Sequence, residues 1–139
     1  PTGLAKGWAV EGAGGHLSEV PGIAWSVNAG GDIACGVGRG MQDTGSVWRI
    51  GIEDPRERGG IVQVVPVGIG GLATSGSAAR GAHVVDPRTG APVERVGSVT
   101  VTGPELTWAD VWATAAWVDA ERAAALMAVS HPAYRLIVH

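Results

Sequence analysis

Ser98–Val118, SVTVTGPELTWADVWATAAWV, sets the clearest strand of the chain directly before its clearest helix. Ser98-Val99-Thr100-Val101-Thr102 reads as a strand. Thr107 to Val118 is alanine-rich with tryptophans on its apolar faces and reads as a helix. Within that helix Asp110 and Thr114 stand four residues apart, so both side-chain oxygens project from one face, one turn apart. Two readings are open at this point. Thr107 as N-cap with Asp110 three residues on resembles a capping box, with Thr114 bonding back to the Asp110 carbonyl. Alternatively, one carboxylate and one hydroxyl bind a hard cation such as Mg²⁺ while substrate phosphates fill its remaining positions.

On the C-terminal side, Asp119 suits the N-cap of a second helix near 120–129, and Tyr134 to Val138 forms a closing strand. On the N-terminal side lies Leu72–Gly90, LATSGSAARGAHVVDPRTG. Here a small-residue run, Ala73-Thr74-Ser75-Gly76, and a lone histidine, His83, precede an Asp86-Pro87-Arg88-Thr89-Gly90 turn, with Val84 and Val85 as a short strand. The plain reading is a hairpin corner carrying an exposed histidine. The functional one is a rigid loop that aims a titratable imidazole at a pocket.

Further upstream the pattern is strand-rich. Val47 to Ile52 alternates as a strand, residues 56–60 form a charged turn, and Ile61 to Val67 is a strand whose Pro66 marks an edge or bulge. Residues 38–46 form a polar loop. Ala24 to Val27 and Ile33 to Val37 are short strands joined through Asn28-Ala29-Gly30-Gly31-Asp32, which fits a type I′ corner. Its glycines also let backbone amides approach a phosphate or a ring closely. A helix near 4–19, spaced on Leu4, Trp8 and Ala9, opens the chain and stops at Pro21-Gly22. Short antiparallel strands interspersed with three helices predict an α+β fold, one mainly antiparallel sheet with the helices packed on one side.

Composition narrows the function. The 139 residues suffice for a single domain with a real core, and 45% hydrophobic with 17% charged residues excludes disorder. Net charge −3 leaves no electrostatic footprint for nucleic acid. The 23 glycines, over twice the usual share of about 7%, follow no fixed period and imply many turns and close backbone approaches. One cysteine, Cys35, excludes an internal disulfide. No apolar run among the 139 residues approaches the ~20 residues of a membrane span, and none of them reads as a signal-peptide segment. Arginine outnumbers lysine nine to one, which singles out Lys6.

Taken in order, TGLAKGWAV, VNAGGDI, WRIGIEDP, LATSG, HVVDPRTG, SVTV and ADVWATA resemble the ApbE family of flavin transferases, the FAD:protein FMN transferases. The resemblance covers almost the whole chain and corresponds to the C-terminal part of the family, whose members carry an additional N-terminal portion. It therefore implies a single domain, residues 1–139, with an N-terminal portion upstream. Two departures stand out: the family's Asp shortly before the lysine motif would fall ahead of Pro1, and Ala82 takes the place of a second histidine beside His83.

The resemblance implies an enzyme that transfers FMN from FAD to a threonine hydroxyl of an acceptor flavoprotein, with Mg²⁺ as cofactor. Asp110 and Thr114 would ligate the metal together with the main-chain carbonyl of Gly3. Lys6 and the backbone around Val85 would contact FAD, and His83 would act on the acceptor hydroxyl. The family also suggests an extracytoplasmic, membrane-associated setting. Two other functions share these residues: an Mg²⁺-dependent FAD pyrophosphatase giving FMN and AMP, and a non-catalytic flavin-binding half-domain.

Overall fold

The computed structural model describes residues 2–42, 47–77 and 84–139. The chain opens on helix α1 (Thr2–Ser18), which ends before the Pro21-Gly22 turn. Strands β1 (Ala24–Ala29) and β2 (Asp32–Val37) follow as a hairpin. Ala29 pairs with Asp32 across a two-residue loop in which Gly30 and Gly31 both take positive φ, 60° and 94°. That is the geometry a type I′ turn demands, and glycine adopts it without steric cost. Strands β3 (Trp48–Glu53) and β4 (Ile61–Val67) form a second hairpin, with a register shift at Ile52/Glu53. Pro66 lies on β4, which pairs only with β3, so its missing N–H interrupts no second ladder.

The run Ala73–Gly76, expected to lead into a turn, instead belongs to β5 (Gly70–Gly76), the central strand of the molecule. It pairs antiparallel with β2 on one side and with β6 (Ser98–Gly103) on the other. Helix α2 (Leu106–Val118), helix α3 (Ala120–Ser130) and edge strand β7 (Arg135–Val138) complete the chain. The result among the described residues is α+β, as the sequence predicts, with one difference. There are two sheets: five antiparallel strands in the order β1-β2-β5-β6-β7, and the separate two-stranded β3-β4.

The two faces of the large sheet are covered differently. α1 and α2 lie on one face, where Val10, Ala34, Ala73, Val101, Leu106, Ala109 and Ala113 form a buried cluster. Alanine at Ala73, Ala109 and Ala113, all fully buried, lets the helix axis come close to the strands. The β3-β4 hairpin covers the other face, where Ile50, Ile52, Val65 and Val67 pack on Cys35 and Leu72. Each large apolar side chain buried in these clusters contributes about 1.5–3 kcal/mol. α3 folds back on α2, its start capped by Asp119, whose Oδ1 accepts from the Arg122 N–H at 3.1 Å.

The loop between β5 and β6 carries the Asp86–Gly90 turn. Asp86 accepts from the Gly90 and Thr89 N–H groups at 2.8 and 3.2 Å, and Gly90 takes a φ of 73°. Val84 and Val85 do not form a strand of their own, and only an isolated bridge, Val85 with Pro92, occurs there. Arg88 joins Asp86 to Asp119, so the turn docks at the junction of α2 and α3.

Candidate functional site

The site assembles where α1 crosses α2. In an unbroken helix the Gly7 N–H would donate to the carbonyl of residue 3. Here Gly3 departs from helical geometry (φ −85°, ψ 19°), and Gly7 donates to Asp110 Oδ2 at 3.0 Å. The Gly3 carbonyl therefore need not close the helical ladder. Both glycines are needed for the approach. A Cβ on Gly7 would lie 2.9 Å from Asp110 Cβ and 3.1 Å from the Leu106 carbonyl, and one on Gly3 only 2.7 Å from Thr114 Oγ1. The backbone at Gly3, the Asp110 carboxylate and the Thr114 hydroxyl consequently face one another across a tight helix–helix contact.

This arrangement removes the capping-box reading of Asp110. The N-cap of α2 is Glu105, without a side-chain cap, and Asp110 is engaged by α1 instead. Thr107 does not cap the helix either: its N–H and its hydroxyl both donate to Glu11 Oε2 of α1, the N–H at 3.1 Å. A buried carboxylate that a helix start does not require is available for other chemistry.

One residue before Gly7, Lys6 reaches to the start of β2. Its Nζ stands 3.0 Å from Asp32 Oδ2, with the lysine side chain 31% exposed and the aspartate only 1%. Beyond that ion pair, neither Asp32 carboxylate oxygen has a well-directed hydrogen bond among the described residues. Burial pushes the Asp32 carboxyl up to about 6, and the nearby Asp110 charge adds to the rise, while Lys6 and the field of the Thr74 N–H pull it back. Asp32 is the residue that the sequence reading passed over. An acidic side chain placed directly after a type I′ turn, on the same strand face as the buried Ala34, is the signal that could have found it.

Gly3, Lys6, Asp110 and Thr114 are thus brought together. Val85 is exposed, on the turn docked to Asp119, and among the described residues no hydrogen bond or ion pair links that turn to Lys6, Asp32 or Asp110. His83 lies outside the described residues. Among the described residues no three His, Cys, Asp or Glu side chains cluster. What the contact offers is one carboxylate and one hydroxyl beside the Gly3 backbone, oxygen chemistry that suits a hard cation drawing its other ligands from water or phosphate.

Residues 1–137 match the model of the ApbE family. The FAD:protein FMN transferase of Salmonella typhimurium is 39% identical over 110 residues, which cover 71% of this chain and 31% of that protein. The Haemophilus influenzae FAD:protein FMN transferase is 30% identical over 129 residues, covering 85% and 36%. The chain therefore spans about a third of the length of these curated relatives. Among solved structures, the ApbE protein of Thermotoga maritima superposes with a TM-score of 0.78 at 30% identity, over 98% of this chain and 46% of that one. The flavin transferase ApbE of Vibrio cholerae gives 0.70 at 27% identity, over 99% and 45%. With the family model matched over nearly its whole length, this chain belongs to the ApbE family.

Proposed function

We propose that this chain is the part of an FAD:protein FMN transferase that binds the FAD diphosphate and a Mg²⁺ ion, and that the product is FMN linked to a threonine of an acceptor flavoprotein. The observation that carries the reading is the meeting of the Gly3 backbone, Asp110 and Thr114 at one helix crossing, beside the chain's only lysine. The names of its relatives supply the reaction class.

In this reading Asp110, Thr114 and the Gly3 carbonyl hold the metal, with Gly7 fixing the Asp110 carboxylate by its N–H. When bound, Mg²⁺ offsets the negative charge that develops on the phosphate oxygens. Lys6 contributes a second positive charge at the diphosphate. The threonine oxygen bonds to the phosphorus on the FMN side of the diphosphate, the anhydride P–O bond breaks, and AMP leaves. His83 accepts the hydroxyl proton, because an alcohol is a poor nucleophile at neutral pH without a base in reach.

The test is mass spectrometry of the full-length protein incubated with FAD, Mg²⁺ and an acceptor. A covalent FMN adduct on an acceptor threonine is expected. AMP and free FMN without an adduct would replace transfer by hydrolysis, with water in the place of threonine. Neither product, with FAD bound, would reduce the domain to flavin binding.

A further inference from the structure

Lys6 is a long side chain asked to present a point charge at a fixed place, and four rotatable bonds make that entropically costly unless something holds it. The structure supplies a holder. Asp32 is the first residue of β2, anchored by its pairing with Ala29 beside the Gly30-Gly31 turn, and its carboxylate is 99% removed from solvent. Its Oδ2 forms an ion pair with the Lys6 ammonium at 3.0 Å, and neither carboxylate oxygen has a well-directed hydrogen bond among the described residues.

Such a pair is a poor device for stability. Taking a carboxylate out of water costs more than one ion pair returns unless its other lone pairs are also satisfied. Nor is it a closed internal pair, because nearly a third of the lysine side chain remains exposed. An ammonium has three donors, so one can stay on Asp32 while two face outward. The carboxylate is rigid and buried, and the cation is accessible.

We propose that Asp32 is a positioning residue, which pins the Lys6 ammonium so that its outward N–H groups meet the diphosphate of FAD. This rests on the reading of Lys6 as a diphosphate contact. Asp32 itself touches neither FAD nor the metal; it acts through Lys6.

The inference is tested in the full-length protein by FAD titration, followed through flavin fluorescence, alongside steady-state transfer. Asp32→Asn is expected to weaken FAD binding and raise its KM about 10- to 100-fold, the range usual when the partner orienting a binding group is removed. The kcat should stay near the wild-type value. Lys6→Met should weaken FAD binding as much, and the double variant no further, because both changes remove one interaction. Thermal melting reads the pair without activity. Lys6→Met leaves a buried carboxylate unpaired and should lower Tm, and adding Asp32→Asn should restore it. If Asp32→Asn does not fold, Asp32→Glu keeps the charge but displaces the ammonium by one methylene, and should lose part of the FAD affinity.

Unchanged FAD binding in the Asp32 variants, or losses that add fully to those of Lys6→Met, would each overturn the proposal. A wild-type protein that binds FAD but transfers no FMN would end the functional reading and leave this one standing.

Discussion

The two faces of the five-stranded sheet are built from the same strands and differ in what they bury. Toward the β3-β4 hairpin the buried side chains are apolar, Cys35, Leu72, Ile50, Ile52, Val65 and Val67, or polar but uncharged, Ser98 and Thr100. Toward the helices the face also buries Asp32 and Asp110, two carboxylates whose charges act on each other. A core gains nothing from two such groups, since an ionised side chain away from water is costly unless paired and hydrogen-bonded. Each is held by a single contact from α1: Asp110 by the Gly7 N–H, Asp32 by the Lys6 ammonium. The difference teaches where the molecule forgoes stability. One face holds the sheet together, and the other carries charged groups whose use lies outside folding.

Several changes would sharpen or break that contrast. The largest effect is expected at Asp110. Asp110→Ala should abolish Mg²⁺-dependent transfer in the full-length protein while costing only about 1–3 kcal/mol of stability, the penalty for leaving the buried Gly7 N–H unpaired. A variant that lost its fold but kept its metal dependence would turn the helix face into packing as well. His83→Ala carries the question into residues 78–83. It should lower FMN transfer by roughly 10²–10⁴, with FAD and Mg²⁺ binding little changed. Near-normal transfer would pass the proton to a phosphate oxygen of the substrate.

Leu72→Ala probes the opposite face. It should cost about 2–5 kcal/mol by denaturant unfolding, as buried leucine truncations do, with transfer per folded molecule unaltered. A parallel loss of FAD binding would show that the hairpin face shares in the function.

The smallest effect is a pH dependence. Burial raises the Asp32 carboxyl from 3.8 to about 6, so the native state binds a proton there that the unfolded state does not hold. Its favourable contribution is complete below about 3.8 and is lost as the pH rises through about 6. In metal-free protein, Tm should therefore fall between pH 4 and 6 relative to Asp32→Asn, which has nothing to titrate. Identical profiles for the two proteins would mean that Lys6 fully compensates the buried charge.

Much of this was legible because its signals are local. The two glycines of the Gly30-Gly31 corner, the Asp119 cap, the Asp86–Gly90 turn and the four-residue spacing of Asp110 and Thr114 each announce themselves within a few residues. β5 did not. Its second half, Ala73-Thr74-Ser75-Gly76, is small and only weakly strand-forming, and it is a strand because β6 pairs along it while β2 holds the first half, Gly70–Leu72. Val84 and Val85 show the reverse. Their β-branched side chains suggested a strand, but the adjoining turn is tied by Arg88 to Asp119, and one bridge is all that forms. For the same reason no local pattern could say that Asp110 belongs to Gly7 rather than to its own helix start, or that Asp32 belongs to Lys6.

The bond between Gly7 and Asp110 also sets a schedule. It joins residues 103 positions apart, and the neighbouring Glu11–Thr107 contact joins residues 96 apart. During synthesis α1 must therefore wait until α2 has been made before either contact can close. Such distant closures are slow, because the chain loses its freedom well before the contact repays it. Until α2 has left the ribosome the oxygen set does not exist, so a nascent chain has no finished pocket in which to trap a cation or a nucleotide too early.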